Sequence, residues 1–96
     1  MEMMTISEQD IVNALCLHLA NKKGLDPQKI QIELLYNDDY GYSAEAYIGD
    51  RKQILVEANI IEALRYWLET EMNKDPYGSL RFELNEDVGI TAHYQA

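Results

Sequence analysis

Ile-Val-Asn-Ala-Leu-Cys-Leu-His-Leu at residues 11–19 and Ile-Ile-Glu-Ala-Leu-Arg-Tyr-Trp-Leu at residues 60–68 are the stretches on which the fold turns. Ile11, Ala14, Leu15 and Leu19 return about 49 residues later as Ile60, Ala63, Leu64 and Leu68, and Asp26-Pro27 returns as Asp75-Pro76. After a one-residue slip, Ile30-Gln31-Ile32-Glu33-Leu34 is echoed by Leu80-Arg81-Phe82-Glu83-Leu84. After a two-residue loop deletion, Asn37 to Ala44 is echoed by Asn85 to Ala92, with Gly41 matched to Gly89. Turn and helix-stop residues recur along with apolar ones, which hydrophobic patterning alone does not force. The chain therefore reads as an internal duplication of a helix–hairpin unit, over residues 7–48 and 57–96.

Each unit opens with an amphipathic helix. Ser7 is the expected N-cap of the first, Glu8 and Asp10 suit its positive end, Lys22 and Lys23 its negative end, and Gly24 and Pro27 stop it. Asn59 is the expected cap of the second, with Glu62 three residues on, and Asp75-Pro76-Tyr77-Gly78 ends it. Alternating apolar residues then mark strands: Ile30 to Tyr36, Tyr42 to Ile48, Lys52 to Val56, Leu80 to Leu84 and Val88 to Tyr94. The order is α-β-β-β-α-β-β with short hairpin turns. It predicts an α+β two-layer sandwich, a mostly antiparallel five-stranded sheet with both helices on one face. Strand order is not readable from the chain. Ninety-six residues support one core, so residues 1–96 form a single domain whose two units share it. Leu15, Leu19, Ile32, Leu34, Leu64, Leu68 and Phe82 are its expected members.

A net charge of −9 repels phosphate backbones and anionic lipid, so neither nucleic acid nor a membrane surface is an expected partner. Cys16 is the single cysteine, excluding an intrachain disulfide. The start, Met1 to Thr5, has no signal-peptide pattern, and no stretch has the ~20 apolar residues of a membrane span, so the expected location is the cytoplasm.

Chemistry-bearing motifs are sparse. Tyr36-Asn37-Asp38-Asp39-Tyr40-Gly41-Tyr42 concentrates carboxylates and tyrosines, but Gly41 puts Tyr36 and Tyr47 at the end ligand positions of a calcium loop, and the pattern fails. Asn and Gly close it as a hairpin. His18 and His93 lack further ligands at zinc spacing, and Ser43 and Ser79 lack a nucleophile elbow. Glu62 and Glu69 lie two turns apart on a helix side facing water. No catalytic residue, cofactor or metal is expected, and the chain is read as not an enzyme.

Outward-facing apolar residues stand out instead. Leu17 and Tyr66 occupy equivalent positions opposite their helices' core stripes. Leu35, Tyr47 and Leu55 are expected on the open sheet face, and Ala63, Tyr66 and Thr70 as a stripe on the second helix. These six form the candidate partner surface. The helix stripe is favoured for a homodimer, because Glu33, Glu45 and Glu57 ring the sheet residues with like charge.

The runs at 7–17, 34–45 (Leu-Leu-Tyr-Asn-Asp-Asp-Tyr-Gly-Tyr-Ser-Ala-Glu) and 57–68 resemble the YxcD-like family of small uncharacterised bacillus-type proteins, over nearly the whole chain. That family brings no activity or site residues. The element order is also similar to the secretion-chaperone-like fold, in which a further helix follows; the likeness implies dimerisation and binding of partner proteins. The function expected is a small acidic protein-interaction module, adaptor- or chaperone-like, with an unidentified protein partner. The alternative is a small-molecule or metal-binding protein, or an enzyme, using the Asp38–Tyr47 region.

Overall fold

A computed structural model describes residues 2–96; Met1, which the single-domain expectation includes, lies outside the described residues. The elements are β1 (Met3–Ile6), α1 (Glu8–Lys23), a short 3-10 turn (Pro27–Lys29), β2 (Ile30–Asn37), β3 (Gly41–Ile48), β4 (Arg51–Val56), α2 (Glu57–Thr70), β5 (Ser79–Asn85) and β6 (Gly89–Gln95). The α+β class holds.

The helix ends follow from local chemistry. The Ser7 hydroxyl accepts the Asp10 N–H at 3.1 Å, and Gly24, at φ 66°, donates its N–H to the Ala20 carbonyl. In α2 the expected cap is displaced. The helix starts at Glu57, and Asn59 sits inside its first turn with its side-chain oxygen accepting the Val56 N–H at 2.9 Å. Asparagine thus satisfies an orphan donor by reaching back rather than by preceding the helix.

The sheet differs from expectation in two ways. Met3–Ile6 is a sixth strand, paired antiparallel to β6 with Ile6 opposite Ala92. Four residues are too few for a periodic signal, and their partner lies at the other end of the chain. The strands also form two three-stranded antiparallel sheets, β1-β6-β5 and β2-β3-β4, rather than one of five. Alternation reports which face is buried but not which strand lies alongside, so one sheet and two fit the same pattern.

The pairing is reciprocal. β1 precedes α1 yet completes the sheet of the hairpin that follows α2. β4 precedes α2 and completes the sheet of the hairpin that follows α1. Local geometry matches at corresponding points. Asp26 accepts the Gln28 N–H as Asp75 accepts that of Tyr77. Asn37 accepts the Asp39 N–H as Asn85 accepts that of Asp87. Gly41 and Gly89 close the hairpins at φ 75° and 78°, a left-handed conformation that favours glycine. Counting from these turns, Leu34 opposite Ala44 corresponds to Phe82 opposite Ala92. Ile32 is thus the counterpart of Leu80, two residues from where the sequence echo put it.

The helices pack on each other, α1 also touching β2 and β6 and α2 touching β3 and β4. Ile6, Ile11, Leu15, Leu19, Leu55, Ile60, Leu64, Leu68, Ile90 and Tyr94 form one buried cluster with Ala14, Ala44, Ala46, Ala63 and Ala92. Ile32, Leu34 and Phe82 are only half-buried, because β2 and β5 are edge strands. Across the halves, the Glu8 carboxylate at the start of α1 accepts the Ile90 N–H at 2.8 Å beside Gly89. Glu57, starting α2, lies likewise over Gly41.

Candidate functional site

Several titratable side chains are paired with one another. His18 Nε2 lies 3.0 Å from Glu62 Oε1, to which Lys22 also donates at 2.9 Å. The Lys22 hydrogen bond, then that of His18, hold the Glu62 carboxyl below its usual value. His93 sits 2.6 Å from Glu83 and 3.3 Å from the Thr5 hydroxyl. Arg65, flanking Glu62 and Glu69, donates to the Pro76 and Gly78 carbonyls at 2.6 and 2.9 Å, tying α2 to the loop after it. Burial pushes the Cys16 thiol up, and its Sγ donates to the Ile30 carbonyl at 3.6 Å. Among the described residues no three His, Cys, Asp or Glu side chains converge as metal ligands. In the Asp38–Tyr47 region, Asn37 closes the turn on the Asp39 and Tyr40 N–H groups, and Asp38 and Asp39 face solvent.

The proposed sheet-face trio is not brought together. Leu55 is opposite Ala44 and points into the core at 4% exposure, because the β3–β4 register gives it the parity of the buried face. Ile54 and Val56 are the exposed apolar members of that strand. Leu35 pairs with Ser43 and Tyr47 with Gln31, and the Glu33–Glu45 pair lies between them. Glu45 accepts from the Tyr47 hydroxyl at 2.7 Å and from Lys52 at 2.9 Å, so a polar cluster occupies the middle of that face. These two hydrogen bonds, Tyr47 first, lower the Glu45 carboxyl.

On α2, Ala63 is fully buried against the neighbouring helix and core, so it belongs to no surface. Tyr66 and Thr70 do line one. With Leu17, Leu25, Pro27 and Trp67 they form a groove of about 460 Å³ on the helix side. Asn21 donates to the Tyr66 hydroxyl at 2.8 Å, holding the ring across the two helices.

A second surface was missed. Tyr36, Tyr42 and Phe82 form a row from one sheet to the other, with ring centroids 4.9 and 5.2 Å apart. Beside it Leu84 is 52% exposed, and Tyr40 and Val88 project from the hairpin tips. Burial, then the neighbouring Tyr36, Glu57 and Glu83, raise the Tyr42 phenol, which marks those carboxylates as flanking it. Residues 36–42 and 82–90 contain Asp38, Asp39, Glu83, Glu86 and Asp87 and no Lys or Arg. The tyrosine cluster was visible in the sequence. Its continuation onto β5 was not, because that needs the order of the strands.

The family described as protein of unknown function (DUF2653) matches residues 1–87. The chain is 31% identical over 74 residues to the Uncharacterized protein YxcD of Bacillus subtilis (strain 168), covering 76% of this chain and 72% of that protein. No solved structure matches. Among the described residues no helix is long and apolar enough to cross a membrane.

Proposed function

The chain belongs to the DUF2653 family, and we propose that it is a non-enzymatic, cytoplasmic protein-interaction module that docks a basic amphipathic segment of a partner protein. The observation that carries this is the Tyr36–Tyr42–Phe82 row, exposed at Tyr36 and half-buried at Tyr42 and Phe82, with its acidic rim. Aromatic side chains bury large area at low entropic cost and dominate interface energetics. Surrounding carboxylates steer a cationic partner and orient it. A helix with leucines on one face and lysines on the other answers both features. A second copy suits this surface poorly, since two acidic rims would meet.

Calorimetric titration with a synthetic amphipathic leucine–lysine helix of about 14 residues tests the reading. Saturable binding that weakens with salt is expected. A Tyr36→Ser/Leu84→Ser variant, altered at two exposed positions, should bind at least about tenfold more weakly while melting like the parent. Equal binding by that variant, or by a serine–lysine peptide with no apolar face, would leave only charge attraction and refute the docking surface.

The homodimer belongs on the helix groove, where Tyr66 provides an aromatic anchor beside the buried Trp67 and Thr70 a small neighbour. The reciprocal strand exchange and matched turns further support descent from one duplicated unit: a strand, a helix and a hairpin.

A further inference from the structure

The two halves differ at the end of β3 remote from the aromatic row. In the second half Tyr94, placed in β6 as Ala46 is in β3, is 1% exposed and belongs to the buried core. Its hydroxyl donates to the Asp75 carbonyl at 2.8 Å, and its ring lies so close to Gly78 that a side chain there would collide. Lys74 and Glu2 form an ion pair beside it. That site is filled and charge-balanced.

In the first half the corresponding place lacks that ring, and Ala46 and Ile30 are both buried there. Ala46 replaces the tyrosine, and Ile30, which stands where Gly78 does, takes up part of the room. A cleft of about 310 Å³ remains, walled by Leu25, Ala46 and Ile48 with Lys23, Arg51 and Gln53 around it. Arg51 occupies the position of Glu2, so the carboxylate that balances the second half is replaced by a cation. Neither Lys23 nor Arg51 has an ion-pair partner among the described residues, and no Asp or Glu lines the cleft. Lys52 at its edge is paired with Glu45, and Lys22 nearby with Glu62.

Two unpaired cations beside an apolar wall are notable in a chain of net charge −9, whose general surface repels anions. A basic residue at the end of α1 suits the helix dipole, but that explains Lys23 alone and not Arg51 on the opposing strand. We propose that this cleft binds a small carboxylate with an apolar body. The carboxylate lies between Lys23 and Arg51, accepting hydrogen bonds from them and from the Gln53 amide. The hydrocarbon or ring packs on Leu25 and Ile48, beside the buried Ala46 that stands where the second half has Tyr94. Guanidinium and ammonium groups favour a carboxylate, and the volume is at the lower end of small-molecule sites. The cleft lies at the opposite end of β3 from the docking row, so its failure would leave that reading untouched.

Titrating octanoate into the isotope-labelled protein and following backbone amide shifts tests the site, with octylammonium and inorganic phosphate as comparison probes. Octanoate should give saturable shifts centred on Leu25, Ala46, Ile48 and Gln53. Octylammonium should not bind there, and phosphate should bind more weakly for want of an apolar body. Lys23→Met/Arg51→Met keeps the side-chain stems, should leave melting unchanged, and should weaken octanoate at least about tenfold. Ile30→Gly/Ala46→Tyr, which rebuilds the filled arrangement, should abolish those shifts if its spectrum stays dispersed. Equal binding of octanoate and octylammonium, unweakened binding to the Lys23→Met/Arg51→Met protein, shifts centred elsewhere, or no saturation would each overturn the assignment.

Discussion

Three turn glycines form a graded test of how the halves are clasped. Gly49, Gly41 and Gly89 have φ of 62°, 75° and 78°, so alanine at any of them meets the same left-handed penalty, about 1 kcal/mol. Their surroundings differ. At Gly49 an added methyl enters open space, and at Gly41 it would lie 3.2 Å from the Glu57 carboxylate, which can swing aside. At Gly89 it would overlap the Glu8 carboxylate, which accepts the Ile90 N–H at 2.8 Å. Displacing Glu8 forfeits a charge-assisted hydrogen bond, discounted here to about 1 kcal/mol because Glu8 is solvent-exposed and water can replace it. Gly49→Ala and Gly41→Ala should therefore each cost about 1 kcal/mol, and Gly89→Ala about 2–3 kcal/mol. Urea unfolding followed by circular dichroism, with unchanged slopes, reads these directly. For a domain of this size the largest corresponds to a melting loss of roughly 10–20 °C. Glu8→Ala on the Gly89→Ala background should cost less than it does alone, since the bond is already gone. Gly89→Ala no worse than Gly49→Ala, or strict additivity with Glu8→Ala, would refute the clasp.

Leu64→Ala, at a fully buried position on α2, should cost about 2–5 kcal/mol by cavity formation in the same urea assay, and a near-neutral result would mean the core stripe is misread. Tyr47→Phe removes the leading hydrogen bond that lowers Glu45, so the Glu45 carboxyl should titrate at higher pH in the variant by side-chain NMR. Because the folded value is depressed, the Glu45 cluster stabilises above the ordinary glutamate value near ~4.3 and loses that contribution as pH falls through the folded one; an unchanged Glu45 titration would remove Tyr47 as the cause. Tyr66→Glu places a charge in the helix groove and should convert a dimer to monomer by light scattering. An unchanged dimer would move the self-association surface elsewhere, and a monomeric parent at high concentration would eliminate the homodimer.

The chain makes its structure legible where the physics is local. Ser7, Gly24, Gly41 and Gly89 act through bonds or dihedrals within a few residues, and the helix stripes through Leu15, Leu19, Leu64 and Leu68 need only the 3.6-residue period. What failed depends on distant partners. Met3–Ile6 becomes a strand because β6 offers an edge. Leu55 lies between Ile54 and Val56, so an unbroken apolar run cannot say which of them faces in; the register with Ala44 decides it. Ala63 looked like part of a surface stripe because a small residue on a helix fits a surface or a close helix contact equally. The aromatic row needed Phe82 beside Tyr42, a proximity set by how two sheets meet and encoded in neither strand alone.

The interaction reading is tested most directly by mapping backbone amide shifts of the parent protein on addition of the leucine–lysine helix. The account predicts that the shifts concentrate in residues 36–42 and 82–90, at both hairpins together, and fade as salt is raised. Shifts confined to the Leu17–Tyr66 groove, or scattered over the acidic surface without a centre, would contradict it.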